Sequence, residues 1–145
     1  MSTIEFTKAY INRLCKSIGT TAKAVYNAKT GAWYFSSSTA TIEVFLTTID
    51  TGGKTERTFI RCFAPIYEVP PEAKKKLDIY ETALEINTAR MGFKLSMLTD
   101  KWLLSVVTER DIEGMDYVEF TDLIADIGFW ADTLQEYFKK QFDPV

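Results

Sequence analysis

The chain contains no histidine, and several other residues that define functional classes are scarce. Without an imidazole, Ser-His-Asp triads, histidine metal sites and the usual pH switch near neutrality are excluded. With 7 glycines and 4 prolines the sequence is neither collagen-like nor of low complexity. A formal charge of −3 supplies no general basic surface, so we expect no nucleic-acid partner. We nominate no catalytic residue, metal ligand or cofactor.

The two cysteines and the lack of long apolar runs indicate in which cellular compartment the protein is expected. Cys15 and Cys62 are 47 positions apart, which excludes a Cys-x-x-Cys motif, and both fall on apolar-patterned segments. This placement indicates buried, reduced thiols. The first residues lack the basic-then-apolar layout of a secretory signal, and no run approaches the roughly 18 apolar residues of a membrane-spanning helix. We therefore expect a cytoplasmic protein without membrane contact.

The 145 residues fit a single domain, residues 1–145, because no repeat or linker divides them. The apolar residues first recur at helical spacing and predict a helix over about residues 3–18. Ser2 and Glu5 can form a capping box at its start, and Gly19 supplies its end. Ten threonines then fall between residues 20 and 58 among valines, isoleucines and aromatic residues. That composition predicts antiparallel strands, with turns at 29–31 and 51–54 and the last strand ending near Pro65.

In the second half of the chain, the spacing of the apolar residues again changes from that of a helix to that of a strand. Pro70-Pro71 opens a second helix. A hairpin turns at residues 99–101, and Asp116 with Glu119 can cap a final helix that runs to about residue 142. The predicted order is α-β-β-β-α-β-β-α, with room for one short strand near residue 22. This predicts an α+β fold, a twisted antiparallel sheet with three helices mainly on one face. We assign the inward face of the second helix to Ala73, Leu77, Tyr80, Leu84 and Thr88.

Three segments resemble ligand sites but fit structural roles better. Residues 52–55, Gly-Gly-Lys-Thr, resemble the end of a phosphate-binding loop, but a strand-forming segment follows them where that loop needs a helix. The acidic residues between 111 and 126 do not alternate as a calcium loop requires, and they suit a helix start. Lys74, Lys75 and Lys76 spread around a helix circumference, so they do not form one phosphate-tracking stripe.

A second apolar stripe on the second helix consists of Ile79, Ala83 and Ile86. These residues lie opposite or beside the face that carries Leu77 and Leu84, at about 100° per residue. One interpretation is that this stripe forms a homodimer interface. The other is that it is buried within the fold.

Three aromatic residues lie on the polar sides of their helices and are candidate anchors for another protein. They are Phe6, Tyr10 and Phe129. Aromatic side chains bury large areas and often anchor interfaces. The alternative for Phe6 and Tyr10 is that they fold onto the edge of the core.

Another group of aromatic residues permits an alternative function, a small-molecule sensor with its ligand between the sheet and the helices. The lining would consist of Trp33, Phe45, Phe63 and Trp102. The plainer interpretation of the same residues is hydrophobic core.

Four local runs resemble the YbjN-type family, small bacterial proteins with the fold of class I type III secretion chaperones. The similarity spans roughly residues 3–142, mostly as pattern. The runs that carry it are Ala83-Leu84-Glu85-Ile86-Asn87, Gly92-Phe93-Lys94-Leu95, Asp111-Ile112-Glu113-Gly114-Met115 and Trp130-Ala131-Asp132.

The resemblance implies a cytoplasmic, non-enzymatic, acidic α+β domain that dimerises. Family members are described as sensory-transduction regulators, and the related chaperones hold extended segments of secreted proteins against apolar patches. We therefore predict a protein-interaction module, chaperone-like or regulatory, that acts through apolar surface and not through covalent chemistry.

Overall fold

The computed structural model describes residues 3–50, 52–53 and 56–144. These residues form a six-stranded antiparallel sheet in the order β1-β2-β3-β4-β6-β5, together with four helices. The α+β class and the antiparallel sheet are thus confirmed. The elements in chain order are α1 (Thr3–Ser17), α2 (Ala22–Val25), β1 (Tyr26–Asn27), β2 (Ala32–Ser36), β3 (Thr41–Asp50), β4 (Glu56–Glu68), α3 (Ala73–Ala89), β5 (Lys94–Leu98), β6 (Leu103–Asp111) and α4 (Tyr117–Phe142).

The structure departs from the predicted order between residues 20 and 27. The hydroxyl of Thr21 accepts a hydrogen bond from the Ala24 N–H at 3.1 Å and caps the one-turn helix α2. Strand β1 follows it directly. Thr21 belongs to the threonine-rich segment that predicts strands, but its side chain accepts a hydrogen bond from the backbone N–H three residues later and therefore starts a helix instead. The prediction of three helices is wrong by this short helix, and the chaperone-like order is not confirmed.

Capping residues set two helix ends where the sequence predicts them. Gly19 follows α1 with φ of +82°, a conformation that glycine adopts without a Cβ penalty. The Asp116 carboxylate accepts a hydrogen bond from the Glu119 N–H at 2.7 Å, and the Glu119 side chain returns to the Asp116 N–H. The capping box of α4 is therefore confirmed. The box predicted for Ser2 and Glu5 cannot be assessed, since Ser2 lies outside the described residues.

Prolines shift two other boundaries. Helix α3 begins at Ala73, two residues after Pro70-Pro71, with Glu72 as its N-cap. Strand β4 does not end near Pro65 but continues to Glu68. Its register against β6 shifts between Pro65 and Tyr67, and such a bulge accommodates a residue that has no N–H to donate.

The strands are joined by turns close to the predicted ones. Gly31 has φ of +72° in the turn between β1 and β2. Gly52 and Gly53 lie between β3 and β4. Thr51, Lys54 and Thr55, which complete the turn and the phosphate-loop-like segment, lie outside the described residues. The turn between β5 and β6 extends to Trp102, which has φ of +54°, so this residue belongs to the turn and not to the strand.

One face of the sheet packs against the helices and forms the core. The helical spacing of its apolar residues predicts the inward face of α4, and the structure confirms this face, with Leu123 partly buried and the other six residues buried: Phe120, Leu123, Ile124, Ile127, Ala131, Leu134 and Phe138. Because α4 crosses β4 and β6, the alternate residues of these strands that face it are buried as well. The central core residues include Val44, Ile60, Cys62, Ala64, Leu104, Val106, Phe120, Ile127, Ala131 and Phe138.

Helix α3 packs with the face opposite to the predicted one. Ile79 is 0% exposed and Ala83 7%, and Ile86 is partly buried against the core. Leu77 and Leu84, for which the sequence predicts an inward position, are 64% and 67% exposed. The expectation that Ile79, Ala83 and Ile86 form an exposed dimer interface is therefore wrong. These side chains are already covered within one chain.

A side-chain contact explains how α3 is rotated. The Asn87 amide binds both peptide groups of Leu95 in β5, so this side of the helix must face the strand. Ile79 and Ala83 precede Asn87 by eight and four residues, which places all three on one face of the helix. The same contact directs Ile79 and Ala83 toward the sheet.

Candidate interaction surfaces

The exposed side of α3 carries Leu77, Tyr80 and Leu84, which we call the α3 stripe. Beside it, a groove of about 330 Å³ runs between α3 and the edge strand β5. Tyr80 and Leu84 line this groove together with Met97. An exposed apolar stripe on α3 thus exists, but on other residues than those predicted for it.

The three predicted partner-binding residues occupy different environments. Phe6 on α1 and Phe129 on α4 are 47% and 61% exposed. Tyr10 is partly buried against the core, and its hydroxyl donates a hydrogen bond to the Met115 carbonyl at 3.3 Å. Its ring also lies 5.7 Å from the ring of Tyr117. Tyr10 therefore follows the alternative interpretation, in which it packs at the edge of the core, whereas Phe6 and Phe129 remain accessible.

Phe129 lies at a groove that we call the α1/α4 groove. This groove has a volume of about 310 Å³, and Leu14, Ile18, Ile124 and Gly128 also line it. Ile18 follows the last residue of α1 and is 58% exposed. The groove thus brings two exposed apolar side chains, Ile18 and Phe129, to one place. Phe6 is not among the residues that line it.

A glycine allows the hairpin between β2 and β3 to approach α4 beside this groove. A Cβ on Gly128 would lie 3.4 Å from the Ser37 Cβ and 3.5 Å from Ile42 Cδ1, which is contact distance. A side chain longer than alanine would therefore displace the hairpin. The small residue in α4 thus allows the hairpin to pack directly against the helix.

Asp132 fastens the same hairpin to α4. Its carboxylate accepts hydrogen bonds from the Thr39 hydroxyl at 2.7 Å, the Thr39 N–H at 2.9 Å and the Ser37 hydroxyl at 3.0 Å. A fourth comes from the Ser38 N–H at 3.3 Å. Partial burial opposes ionisation of this carboxyl, but the hydrogen bonds from Thr39, Ser37 and Ser38 outweigh it and hold the pKa of Asp132 below its ordinary value.

The opposite face of the sheet carries a layer of ion-paired and aromatic side chains. The rings of Phe45 and Phe63 lie 5.4 Å apart, and the Arg61 guanidinium is 4.8 Å from the Phe63 ring centre. Arg61 also pairs with Glu109 at 2.9 Å, and Lys94 pairs with Glu109 at 2.7 Å. The Lys94 hydrogen bond is the main cause of the lowered pKa of Glu109, and Arg61 adds to it. The charges of Arg61, Lys94 and Glu109 on this face are thus paired with one another.

The four aromatic residues of the predicted ligand site are separated in the structure. Trp33 is buried in the core and lies 5.0 Å from the ring of Tyr26. Phe45 and Phe63 project from the other face of the sheet, because strand side chains alternate. Trp102 is 44% exposed in the turn before β6, with Lys76 Nζ 4.1 Å from its ring centre. These residues do not line one cavity.

The acidic residues before α4 make ion pairs and caps. Asp111 pairs with Arg57 at 2.8 Å, and Glu119 pairs with Arg110. Over the described ranges of the chain, no group of three or more histidine, cysteine, aspartate or glutamate residues could hold a metal ion. The helices in those ranges also include none with the length and apolarity needed to cross a bilayer.

Both cysteines are buried and unpaired, as the sequence predicts. Cys62 lies on the core face of β4, and burial raises the pKa of its thiol to about 12. Burial also raises the pKa of the Cys15 thiol.

Several of these features are not predicted from the sequence. Asp132 and Thr39 are 93 positions apart, and no motif connects them. Asn87 was noted only as part of a resemblance. The helical period of the first apolar residues includes Ile18, although Gly19 indicates that the helix ends beside it. That position at a helix end is the signal that could have identified Ile18 as exposed.

Comparison with known proteins identifies no relative of this chain among protein-family models or curated proteins. No protein-family model matches the chain, and no curated protein is detectably similar to it in sequence. The resemblance to the YbjN-type proteins therefore stays a prediction.

Proposed function

We propose that the protein is a non-enzymatic interaction module that binds an apolar segment of a partner polypeptide in the α1/α4 groove. The observation that carries the proposal is the convergence of Ile18 and Phe129, both more than half exposed, at one groove. The resemblance to the YbjN-type proteins implies that this binding serves either a chaperone function or a regulatory one. The cytoplasmic location and the YbjN-type relationship are kept as predictions.

The energetics favour an apolar occupant. Burial of a phenylalanine or isoleucine side chain contributes about 1.5–3 kcal/mol when it is removed from water. Because Ile18 and Phe129 are already held on helices or at a helix end, a partner gains this burial with little further loss of conformational freedom. Rigid aromatic side chains at such positions are frequent interface anchors.

The size of the groove favours a side chain over a drug-sized ligand. Its volume of about 310 Å³ is at the lower end of the range for small-molecule pockets. Its lining is mostly apolar, with Asp132 as the charged residue, and the carboxylate oxygens of Asp132 are already engaged by the hairpin. One or two apolar side chains of a peptide satisfy such a site.

The proposal is tested by capture of a partner from the protein's own cells with a photo-crosslinking residue at position 129. We expect one protein to crosslink reproducibly at this position. The matched control places the same residue at position 118, because Val118 is also on α4 and is 64% exposed but does not line the groove. Equal yields of every product at both positions would contradict a specific groove.

A substitution provides the second measurement. The partner identified by crosslinking should no longer co-purify with the Phe129→Ser variant. The melting temperature of this variant should stay nearly unchanged, because Phe129 is 61% exposed. Val118→Ser should alter neither. Phe6→Ser, on the accessible part of α1, shows whether the partner contact extends beyond the groove. Undiminished capture by Phe129→Ser would refute the proposed site.

A further inference from the structure

We propose that a pocket between the end of β4 and the C-terminal part of α4 binds a short aliphatic amine in its ammonium form. This pocket, which we call the β4/α4 pocket, is lined by residues 65–71, Leu103, Gln135, Lys139 and Asp143. Its volume is about 640 Å³, within the range of small-molecule sites. It shares no lining residue with the α1/α4 groove, so the inference goes beyond the proposed partner binding.

The pocket exists because β4 extends beyond the strand beside it. The last pair between β3 and β4 is Glu43 with Phe63, whereas β4 continues to Glu68. Beyond Phe63, β4 therefore pairs with β6 on one side only, and no strand of the described chain covers its other side. The three lining residues of α4 and its C-cap recur every four positions, so they lie along one side of the helix and form the opposite wall.

An unpaired acceptor indicates what the pocket would bind. Gln135 lines the pocket, and its side-chain oxygen Oε1 is buried and accepts no hydrogen bond from the described residues. A buried amide oxygen without a donor destabilises the chain, because it has lost its hydrogen bonds to water. A ligand that donates an N–H to Gln135 Oε1 removes this penalty. The ligand should therefore carry hydrogen-bond donors.

The backbone that lines the pocket is also richer in acceptors than in donors. Pro65, Pro70 and Pro71 are three of the chain's 4 prolines, and a proline offers a carbonyl oxygen but no N–H. The Val69 N–H already donates to the Trp102 carbonyl at 2.8 Å. The C-terminal end of α4 adds the negative end of a helix dipole. These features favour a positively charged donor over an anion.

The charged side chains of the lining have the same preference. Glu68 and Asp143 supply two carboxylates against the single ammonium group of Lys139, a net charge of −1. The Tyr67 hydroxyl donates to Asp143 Oδ1 at 2.7 Å. Burial, together with this bond, raises the pKa of Tyr67 to about 12, so the phenol keeps its proton and Asp143 keeps its negative charge.

The apolar part of the lining suits a short alkyl chain. Ile66 and Val69 are each 3% exposed, and Leu103 and the prolines add further apolar surface. The Tyr67 ring lies 6.0 Å from the ring of Phe138, which holds this wall in place. An aliphatic amine combines such a chain with N–H donors and positive charge. None of the four aromatic residues predicted for a small-molecule site lines this pocket.

Isothermal titration calorimetry with 1,4-diaminobutane tests the proposal. We expect a dissociation constant on the order of 100 micromolar at low salt. 1,4-Butanediol has the same chain length without the charge and should not bind. The diamine with three methyl groups on each nitrogen keeps both charges but has no N–H, so it should bind at least about tenfold more weakly. No binding of the diamine, or equal binding of its methylated form, would overturn the proposal.

Substitutions assign the binding to this pocket. Gln135→Leu should weaken diamine binding at least about tenfold without lowering the melting temperature, because Oε1 has no bond to lose. Glu68→Gln should weaken binding, whereas the matched control Glu136→Gln should not, since Glu136 lies outside the pocket and pairs with Lys140. Unchanged affinity of Gln135→Leu, or equal effects of the two glutamate variants, would refute the assignment. Phe129→Ser should leave diamine binding unchanged, so failure of this pocket and failure of the partner groove can be told apart.

Discussion

Asn87 covers the outer edge of strand β5 at Leu95. Its side-chain oxygen accepts a hydrogen bond from the Leu95 N–H at 2.7 Å, and its side-chain nitrogen donates to the Leu95 carbonyl at 3.2 Å. The amide thus takes the place that a peptide group of a neighbouring strand would occupy. An exposed edge is a template for pairing with other chains, and this contact removes part of it.

Replacement of Asn87 by alanine should both destabilise the protein and expose this edge. Loss of two hydrogen bonds at a partly buried position should lower the free energy of unfolding by about 1–3 kcal/mol, measured by urea denaturation. Light scattering on warming should also detect earlier aggregation. The matched control is Thr88→Ala, because the Thr88 hydroxyl bonds only within the helix, to the Leu84 carbonyl. Equal behaviour of both variants would show that the amide has no such role.

Asp132 predicts a dependence of stability on pH. Its pKa is lowered in the folded chain, so its stabilising contribution is present above its unfolded pKa, about 3.9, and is lost as the pH falls through the lower folded value. We expect Asp132→Asn to lower the free energy of unfolding at neutral pH by about 1–3 kcal/mol. The difference between the variant and wild type should shrink below about pH 4. A difference that is constant from neutral to acidic pH would contradict this account.

Two substitutions on α3 test which face is buried. Ile79→Ala removes a side chain that is 0% exposed and should cost about 2–5 kcal/mol of unfolding free energy. Leu84→Ala changes a side chain that is 67% exposed and should cost less than about 0.5 kcal/mol. The reverse order of effects would show that the face carrying Leu77 and Leu84 is the buried one.

The sequence predicts the buried face of α4 correctly and that of α3 wrongly, and the difference has a physical cause. Helix α4 has one apolar side and one polar side, so its period alone determines which side is buried. Helix α3 has apolar residues on two sides, at 77, 80 and 84 and at 79, 83 and 86. Its rotation depends on packing against β5 and on the Asn87 contact, and these join parts of the chain that periodicity does not relate.

The candidate site could be predicted only in part. The position of Phe129 on the polar side of an otherwise regular helix predicts that its side chain is accessible, and the side chain is 61% exposed. The groove beside it depends on residues from two other segments, namely Ile18 after α1 and the hairpin that Asp132 fastens through Thr39. A side chain's own neighbours in sequence carry no information about contacts of that kind.

The two thiols should react only when the structure opens, and in a fixed order. The thiolate is the reactive form, and burial raises the pKa of both Cys15 and Cys62. At about pH 8 the folded protein should therefore resist an aromatic disulfide reagent, whereas the protein in denaturant should release two equivalents of product.

Cys15 should react before Cys62 in native buffer. Helix α1 packs mainly on α2 and α4, so it can detach without disrupting the sheet, whereas Cys62 lies in β4 between β3 and β6. Local opening of a peripheral element costs less free energy than global unfolding. The variant Cys15→Ala assigns the signals, since it should remove the faster phase and retain the slower one. Simultaneous modification of both thiols would show that α1 and the sheet open as one cooperative unit.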